Sequence, residues 1–428
     1  MPDLAAELTT RDAALLTVGG VVGTGIFLTT SDMARALPHP ALIELAWIAA
    51  GLLTLAGAVT YAELGAMFPR AGGIYHFLRE AYGPFPAFLY GWTSFLVLMS
   101  GGIAAIAAGF AEYASASVPL PPKGMAIAAI VLLTAVNHRG VRQGAATQNV
   151  LTLVKALALA ALIGFGLTAP SRALDAPTGA ISAGSFGVAM IAALWTYDGW
   201  YGVTFSAGEL RTPGRSLPRG MIGGILAVIV LYVLVNVVYL RALPLPELAA
   251  TTRVGEAAMA ALFGPGAARW LAAAIMVSAF GCLASTILYS SRVYVPMAAD
   301  GLFFRPLATI HPRWRTPVPS LWAQSLWSVV LVLSGTYEQL YTCVTFTVVL
   351  FQVATGAAIF VLRRTRPETP RPYRAFGYPL VPGIFVAASF VLAANTLLER
   401  HRESLFGLLL IGLGWPAYLF WRRASKPP

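Results

Sequence analysis

Charge is scarce in this chain. Only 11% of its 428 residues are Asp, Glu, Lys or Arg, and there are two cysteines and five histidines. A soluble domain carries about 25% charged residues, so this composition, with 57% hydrophobic residues, excludes that class. Cys282 and Cys343 both fall inside apolar runs, which excludes a disulfide framework in external loops and offers no metal-ligand spacing. No nucleophile, base and orienter stand together, and there is no metal cluster or nucleotide loop, so neither an enzyme nor a cofactor is expected. No basic run interleaved with stacking aromatics lies in a polar domain, and no nucleic-acid partner is expected.

What is present is a series of long uncharged runs, at about 12–33, 41–66, 85–114, 124–138, 145–168, 184–208, 220–241, 268–298, 317–333, 337–362, 378–398 and 404–421. A membrane span needs roughly 20 apolar residues. The runs therefore predict an all-α protein of twelve transmembrane helices in one polytopic domain, 1–428, with the lipid bilayer as its solvent. With an even number of spans both termini share a side. The loops on that side hold nineteen Lys and Arg and the opposite loops eight, which predicts cytoplasmic termini and accounts for the +11 net charge. Pro119, Pro121 and Pro122 punctuate the third external turn. No positively charged n-region with a small-residue cleavage site precedes the first run, so a removable signal peptide is not expected.

The first run is interrupted by GGVVGTGIF, residues 19–27. Backbone groups freed inside a bilayer must face protein, a cavity or a solute, so a break there marks a candidate site. Gly23 and Gly25 permit unwinding and let a ligand reach the main chain. The alternative is close helix packing through the Gly19/Gly23 GxxxG pair. The sixth run is also interrupted, at Asp198-Gly199 in IAALWTYDGWYGVTFSAGEL. Two breaks five spans apart predict inverted repeats with a site near the bilayer midplane. The half helix beginning near Thr24 offers N–H groups to a carboxylate. The half helix ending near Trp195 offers carbonyls to an ammonium. Together they suit a zwitterion such as an α-amino acid. Asp198 reads alternatively as the N-cap of a half helix. Of Trp195, Tyr197, Trp200 and Tyr201, Trp195 is placed to act as a gate, and the others read as packing aromatics.

Lys155 lies about ten residues into the fifth run, QNVLTLVKALALAALIGFGL. One reading puts its ammonium where a bound cation would stand, joining the unwound part of span one to span eight through carbonyls and hydroxyls such as Ser278 or Ser285. The other is a snorkelling lysine. Glu63, Glu209 and Arg292 read as solvated helix ends, with an inner gate of ion pairs as the alternative. Glu44 and Glu112 receive no role.

With VVGTGIF, YAELGAMFPRAGGIYHFLREAYGP, QNVLTLVKALAL, ALWTYDGW, SSRVYVPMAADG and IHPRWRTPVPSL in this order, the chain resembles the amino acid-polyamine-organocation superfamily, L-type amino acid transporter branch. The resemblance implies a LeuT-like fold: inverted five-helix repeats at about 12–168 and 184–362, two extra helices at about 378–421, and broken helices 1 and 6. It implies a substrate carboxylate on the backbone of Thr24, Gly25 and Ile26, and an amino group on carbonyls of Val21, Trp195 and Asp198, with Thr196 in the same stretch. Gly23, Gly25 and Gly199 would serve as break glycines, and Lys155 and Ser285 would take part in coupling. The function implied is sodium-independent exchange of neutral L-amino acids by alternating access. Proton-coupled symport by the same fold is the near alternative, and a non-transporting solute sensor or channel the distant one. The branch's animal members bind a heavy chain through a cysteine that ASASVPLPPKG lacks, so a stand-alone member in a prokaryotic inner membrane is expected, without that subunit. FGCLAS in span eight departs from the branch's small polar pattern.

Overall fold

The computed structural model describes residues 4–114, 120–171, 183–334, 337–399 and 401–424. Pro119, and Arg172, Arg400 and Lys426 among the loop charges counted above, lie outside them. Among the described residues all regular structure is helical, apart from one isolated bridge between Leu8 and Leu210.

The helices are α1 (Thr10–Val21), α2 (Thr29–Ala36), α3 (Pro40–Met67), α4 (Ile74–Tyr82), α5 (Pro84–Thr93), α6 (Met99–Ala114), α7 (Pro122–His138), α8 (Val141–Thr168), α9 (Ala183–Thr196) and α10 (Pro213–Ala242). There follow α11 (Leu245–Ala250), α12 (Val254–Phe263), α13 (Pro265–Ser290), α14 (Tyr294–Ala299), α15 (Val318–Ser334), α16 (Tyr337–Thr365), α17 (Leu380–Glu399), α18 (His401–Gly412) and α19 (Gly414–Ala424). Local chemistry sets many starts. Proline opens α3, α5, α7, α10 and α13, where its missing N–H costs nothing and its φ is preset. At α1 the capping box is complete: Asp12 N–H donates to Thr9 Oγ1 at 3.3 Å, and Thr9 N–H donates to Asp12 Oδ2 at 2.7 Å.

Among the described residues eight helical segments are long and apolar enough to cross a membrane, where twelve spans were expected. The difference has two causes. The first and sixth expected spans are broken, into α1 and α2 and into α9 and a 3-10 segment, Trp200–Glu209. The fourth and ninth are helices of 17 residues, about 26 Å at 1.5 Å per residue, just short of a roughly 30 Å hydrocarbon core. The polar stretch expected over 242–267 carries α11 and α12. Apolar side chains such as Leu157 and Phe165 of α8, Val230 of α10 and Phe390 of α17 stay exposed, because the surrounding medium is lipid and no core is needed to receive them. Inside this ring α1 packs against α8, α10 and α13, and α9 packs against α2 and α3. The two interrupted helices are thereby held at the centre.

Candidate functional site

At the first break α1 ends at Val21, and the chain enters a 3-10 turn over Gly25–Phe27. The carbonyls that the broken helix leaves unpaired are met by side chains from three other helices. Lys155 Nζ on α8 donates to Gly19 O at 2.8 Å and Val22 O at 2.5 Å. Cys282 Sγ reaches Gly20 O at 3.4 Å, and Tyr232 on α10 donates to Val21 O at 3.1 Å. Ser278 on α13 lies 3.3 Å from both Val22 O and Gly23 O. Leaving such an acceptor buried and unpaired costs about 1–3 kcal/mol, so these side chains are what make the break tolerable. The donors are treated differently. Among the described residues no backbone carbonyl takes the N–H of Gly23, Thr24, Gly25 or Ile26, and Thr24 provides no side-chain cap.

At the second break the backbone donors are used internally. Tyr197 N–H donates to Ala193 O at 3.0 Å, and Asp198 N–H to Trp195 O at 3.1 Å. Gly199 then adopts φ 92°, ψ −8°, a left-handed conformation that glycine alone takes without steric cost. A Cβ there would sit 2.6 Å from Gly20 O, so the two breaks touch main chain to main chain. The N-cap expectation for Asp198 fails: Gly199 is the cap, with no side-chain hydrogen bond. The Asp198 carboxylate instead accepts from Tyr201 OH at 3.3 Å and Gln352 Nε2 at 3.4 Å. Both bonds are long.

A cavity of about 130 Å³ lies between the breaks and brings together Val21, Gly23, Thr24, Gly25, Trp195, Thr196, Asp198 and Gly199. Ile26 does not line it, and its side chain is fully buried. Trp195 and Asp198 also form the wall of a second cavity between α3, α9, α16 and α17. Thr196 Oγ1 donates to Thr29 Oγ1 at 2.8 Å and faces the α-carbon of Gly25, where an added Cβ would meet its methyl at 2.9 Å. The carbonyls expected to be free are partly engaged: Val21 O by Tyr232, and Trp195 O by the Asp198 amide. Tyr197 points away from the cavity into a cluster with Trp47 and Tyr232.

Several expectations change. Lys155 is 2% exposed and donates inward, so it does not snorkel. Ser285, expected beside it, donates to Gly281 O at 3.0 Å within its own helix, and Ser278 shares the Val22 carbonyl with the lysine. The GxxxG reading holds for one glycine of the pair. A Cβ on Gly19 would lie 2.0 Å from Gln148, whereas one on Gly23 would clear Cys282 Sγ by 3.5 Å. Tyr232 was missed. Its hydroxyl lies 3.1 Å from Val21 O and 3.3 Å from Thr196 O, touching both breaks. The signal for it was a pair of polar side chains four residues apart, Tyr232 and Asn236, in the otherwise apolar VIVLYVLVNVV.

The carboxylates taken for solvated helix ends are buried ion pairs. Glu209 and Arg292 are 0% and 1% exposed and joined by two bonds of 2.9 Å. Arg292 also donates to Leu288 O and, at 3.0 Å, to Ser291 Oγ. Glu63 accepts from Arg363 at 2.9 and 2.6 Å and from the Ala375 amide at 2.6 Å. The N-terminal segment is tied to the same face: Leu8 N–H donates to Glu209 O and Arg211 N–H to Leu8 O. Between α14 and α15, Asp300 accepts from Tyr75 OH at 2.7 Å and pairs with Arg79 at 3.0 Å, and burial raises its carboxyl above the usual range.

A family profile described as amino acid permease matches residues 8–406. The chain is similar to the serine/threonine exchanger SteT of Bacillus subtilis (strain 168), at 30% identity over 423 residues covering 95% of this chain and 94% of that protein. It is similar to the human b(0,+)-type amino acid transporter 1, at 30% identity over 451 residues covering 99% and 91% of the two chains. With the human large neutral amino acids transporter small subunit 2 it shares 29% identity over 449 residues, covering 99% and 82%.

Proposed function

The chain belongs to the amino acid permease family, L-type amino acid transporter branch, and on that premise we propose that it is a sodium-independent exchanger of neutral L-amino acids working by alternating access. The observation that carries this reading is the row of amides from Gly23 to Gly25 that, among the described residues, meet no carbonyl and line a cavity together with Asp198. The substrate carboxylate binds the N–H groups of Thr24, Gly25 and Ile26, where hydrogen bonds to a charged acceptor are strongest. The ammonium meets the remaining lone pairs of the Val21 and Trp195 carbonyls and the carbonyl of Asp198, with Thr196 alongside. Trp195 closes over the solute as the gate. Lys155 supplies, from inside the protein, the positive charge that a coupling cation would bring, so sodium has no place to act. The similarity to a serine/threonine exchanger supports exchange and small neutral substrates.

The architecture that fits this function is a LeuT-like arrangement of twelve spans. It has inverted repeats at about 12–168 and 184–362 and two further helices at about 378–421, with both termini cytoplasmic in a prokaryotic inner membrane. Breaks in the first and sixth spans that meet at Gly20 and Gly199 support it. The chain acts without a heavy-chain subunit, since the external loop 114–124 has no cysteine.

The test is uptake of labelled neutral amino acids into proteoliposomes, with and without unlabelled amino acid inside, under imposed sodium and proton gradients. Exchange requires internal amino acid and ignores both gradients. Uptake into empty vesicles driven by a proton gradient would establish symport instead, a second reading favoured by the buried Asp198 carboxylate, whose hydrogen bonds from Tyr201 and Gln352 are long. Binding without any flux would leave a sensor.

A further inference from the structure

Away from the breaks, a groove of about 490 Å³ opens where α4 and α5 meet α19. Its walls carry the aromatic side chains of Tyr82, Phe85, Trp415 and Tyr418 and a single charged group, Arg422, and no acidic side chain lines it. Phe85 packs on Tyr418 and Trp415, with ring centroids 5.0 and 5.7 Å apart, which fixes the floor. The groove stands at the ends of two membrane-crossing helices, Pro84–Ala114 and Ser404–Arg423, and therefore at the boundary between hydrocarbon and water. Trp415 is 60% exposed, and Phe420 beside the groove 67%, so its outer side faces lipid.

Arg422 is the charged side chain that lines the groove, unlike the neighbouring Arg423, which does not line it. Arg79, Arg363, Arg366 and Arg371 are paired with Asp300, Glu63 or Glu80. Arg422 is exposed and, among the described residues, forms no ion pair. A guanidinium lining one groove with aromatic side chains at the membrane surface matches a phosphate oxygen pair on one side and apolar chain on the other. We infer that this groove binds one anionic phospholipid, with its headgroup phosphate on Arg422 and an acyl chain along Phe85 and Trp415. Aromatic rings at this depth suit the glycerol and upper acyl region. The bound lipid bridges the last helix to α4, which carries the Arg79 and Glu80 partners of Asp300 and Arg366.

Native mass spectrometry of the full-length detergent-purified chain tests this with phosphatidylglycerol, phosphatidylcholine and inorganic phosphate as probes. One phosphatidylglycerol is expected to be retained in preference to phosphatidylcholine, and inorganic phosphate is not expected to displace it. Arg422→Gln should lower phosphatidylglycerol retention about fivefold, the weight of one interfacial arginine, while Arg423→Gln leaves it unchanged. Equal retention by Arg422→Gln, an equal loss in Arg423→Gln, or displacement by phosphate would each overturn the assignment. If Arg422→Gln does not stay monodisperse, brominated lipids in nanodiscs decide the matter in the wild-type chain. Brominated phosphatidylglycerol should quench tryptophan fluorescence more than brominated phosphatidylcholine, and the excess should vanish in Trp415→Phe. Equal quenching by the two lipids would overturn the site.

Discussion

The two helix breaks look alike in composition and differ in chemistry. Both centre on glycine inside an apolar run, yet the first has its acceptors occupied and, among the described residues, its donors open, whereas the second has its donors used and several of its acceptors taken as well. At the first, Lys155, Cys282, Tyr232 and Ser278 cover the carbonyls from Gly19 to Gly23, and the amides from Gly23 to Ile26 meet no carbonyl. At the second, the amides of Tyr197 and Asp198 fold back onto α9, and Asp198 lines the cavity. On the function proposed above, a zwitterion between them would take one orientation, with its carboxylate on the amides that the first break leaves open.

The largest effect expected from disturbing this polarity comes at Gly25. Gly25→Leu would drive a side chain into Thr196, whose methyl lies 2.9 Å from where the Cβ would be. Overpacking of up to about 3 kcal/mol weakens binding by roughly 100-fold. Labelled-substrate binding in detergent reads this, and normal affinity would remove the first break from the site. Next is Lys155→Ala, which uncovers the Gly19 and Val22 carbonyls. A charge-assisted bond is worth about 1.5–3 kcal/mol, so exchange rate should fall by about ten- to a hundredfold, with a much smaller change in substrate affinity. An unchanged exchange rate would mean that the lysine takes no part in cycling.

Tyr232→Phe tests a side chain whose hydroxyl touches both breaks. Loss of a hydroxyl hydrogen bond of about 1 kcal/mol predicts roughly fivefold weaker binding. An amino acid analogue lacking the amino group should lose less if the carboxylate end is unaffected. The smallest effect lies outside the pair, at His76 on α4. Burial, reinforced by Arg70 and Arg79, pushes its imidazole down to about 4 from 6.5. Its folded pKa lies below the unfolded one, so the neutral form is stabilising above pH 6.5, and that contribution is lost as pH falls toward 4. His76→Gln should flatten the acid side of the melting-temperature profile by a few degrees. A profile that keeps its full slope would assign acid lability to other groups.

Much of this was legible in the chain. Long uncharged runs announce a membrane protein because lipid tolerates little else, and glycines or an Asp-Gly pair inside such runs announce breaks because a bilayer does not satisfy loose backbone. Lys155 stood out for the same reason. Partners were harder to read. Ser278 and Ser285 lie seven residues apart on one face of a helix, and only the axial placement of α13 along α1 decides that Ser278 meets the Val22 carbonyl while Ser285 bonds within its own helix. Glu209 and Arg292 are 83 residues apart, and no local pattern shows that they bury each other. Asp198 looked like a cap because Asp-Gly is a turn former, but the left-handed Gly199 took that position. Hydropathy and backbone permissiveness are properties of a residue and its neighbours, so they can be read along the chain. Which donor meets which acceptor depends on how distant helices are turned toward one another, and that is settled only when they pack.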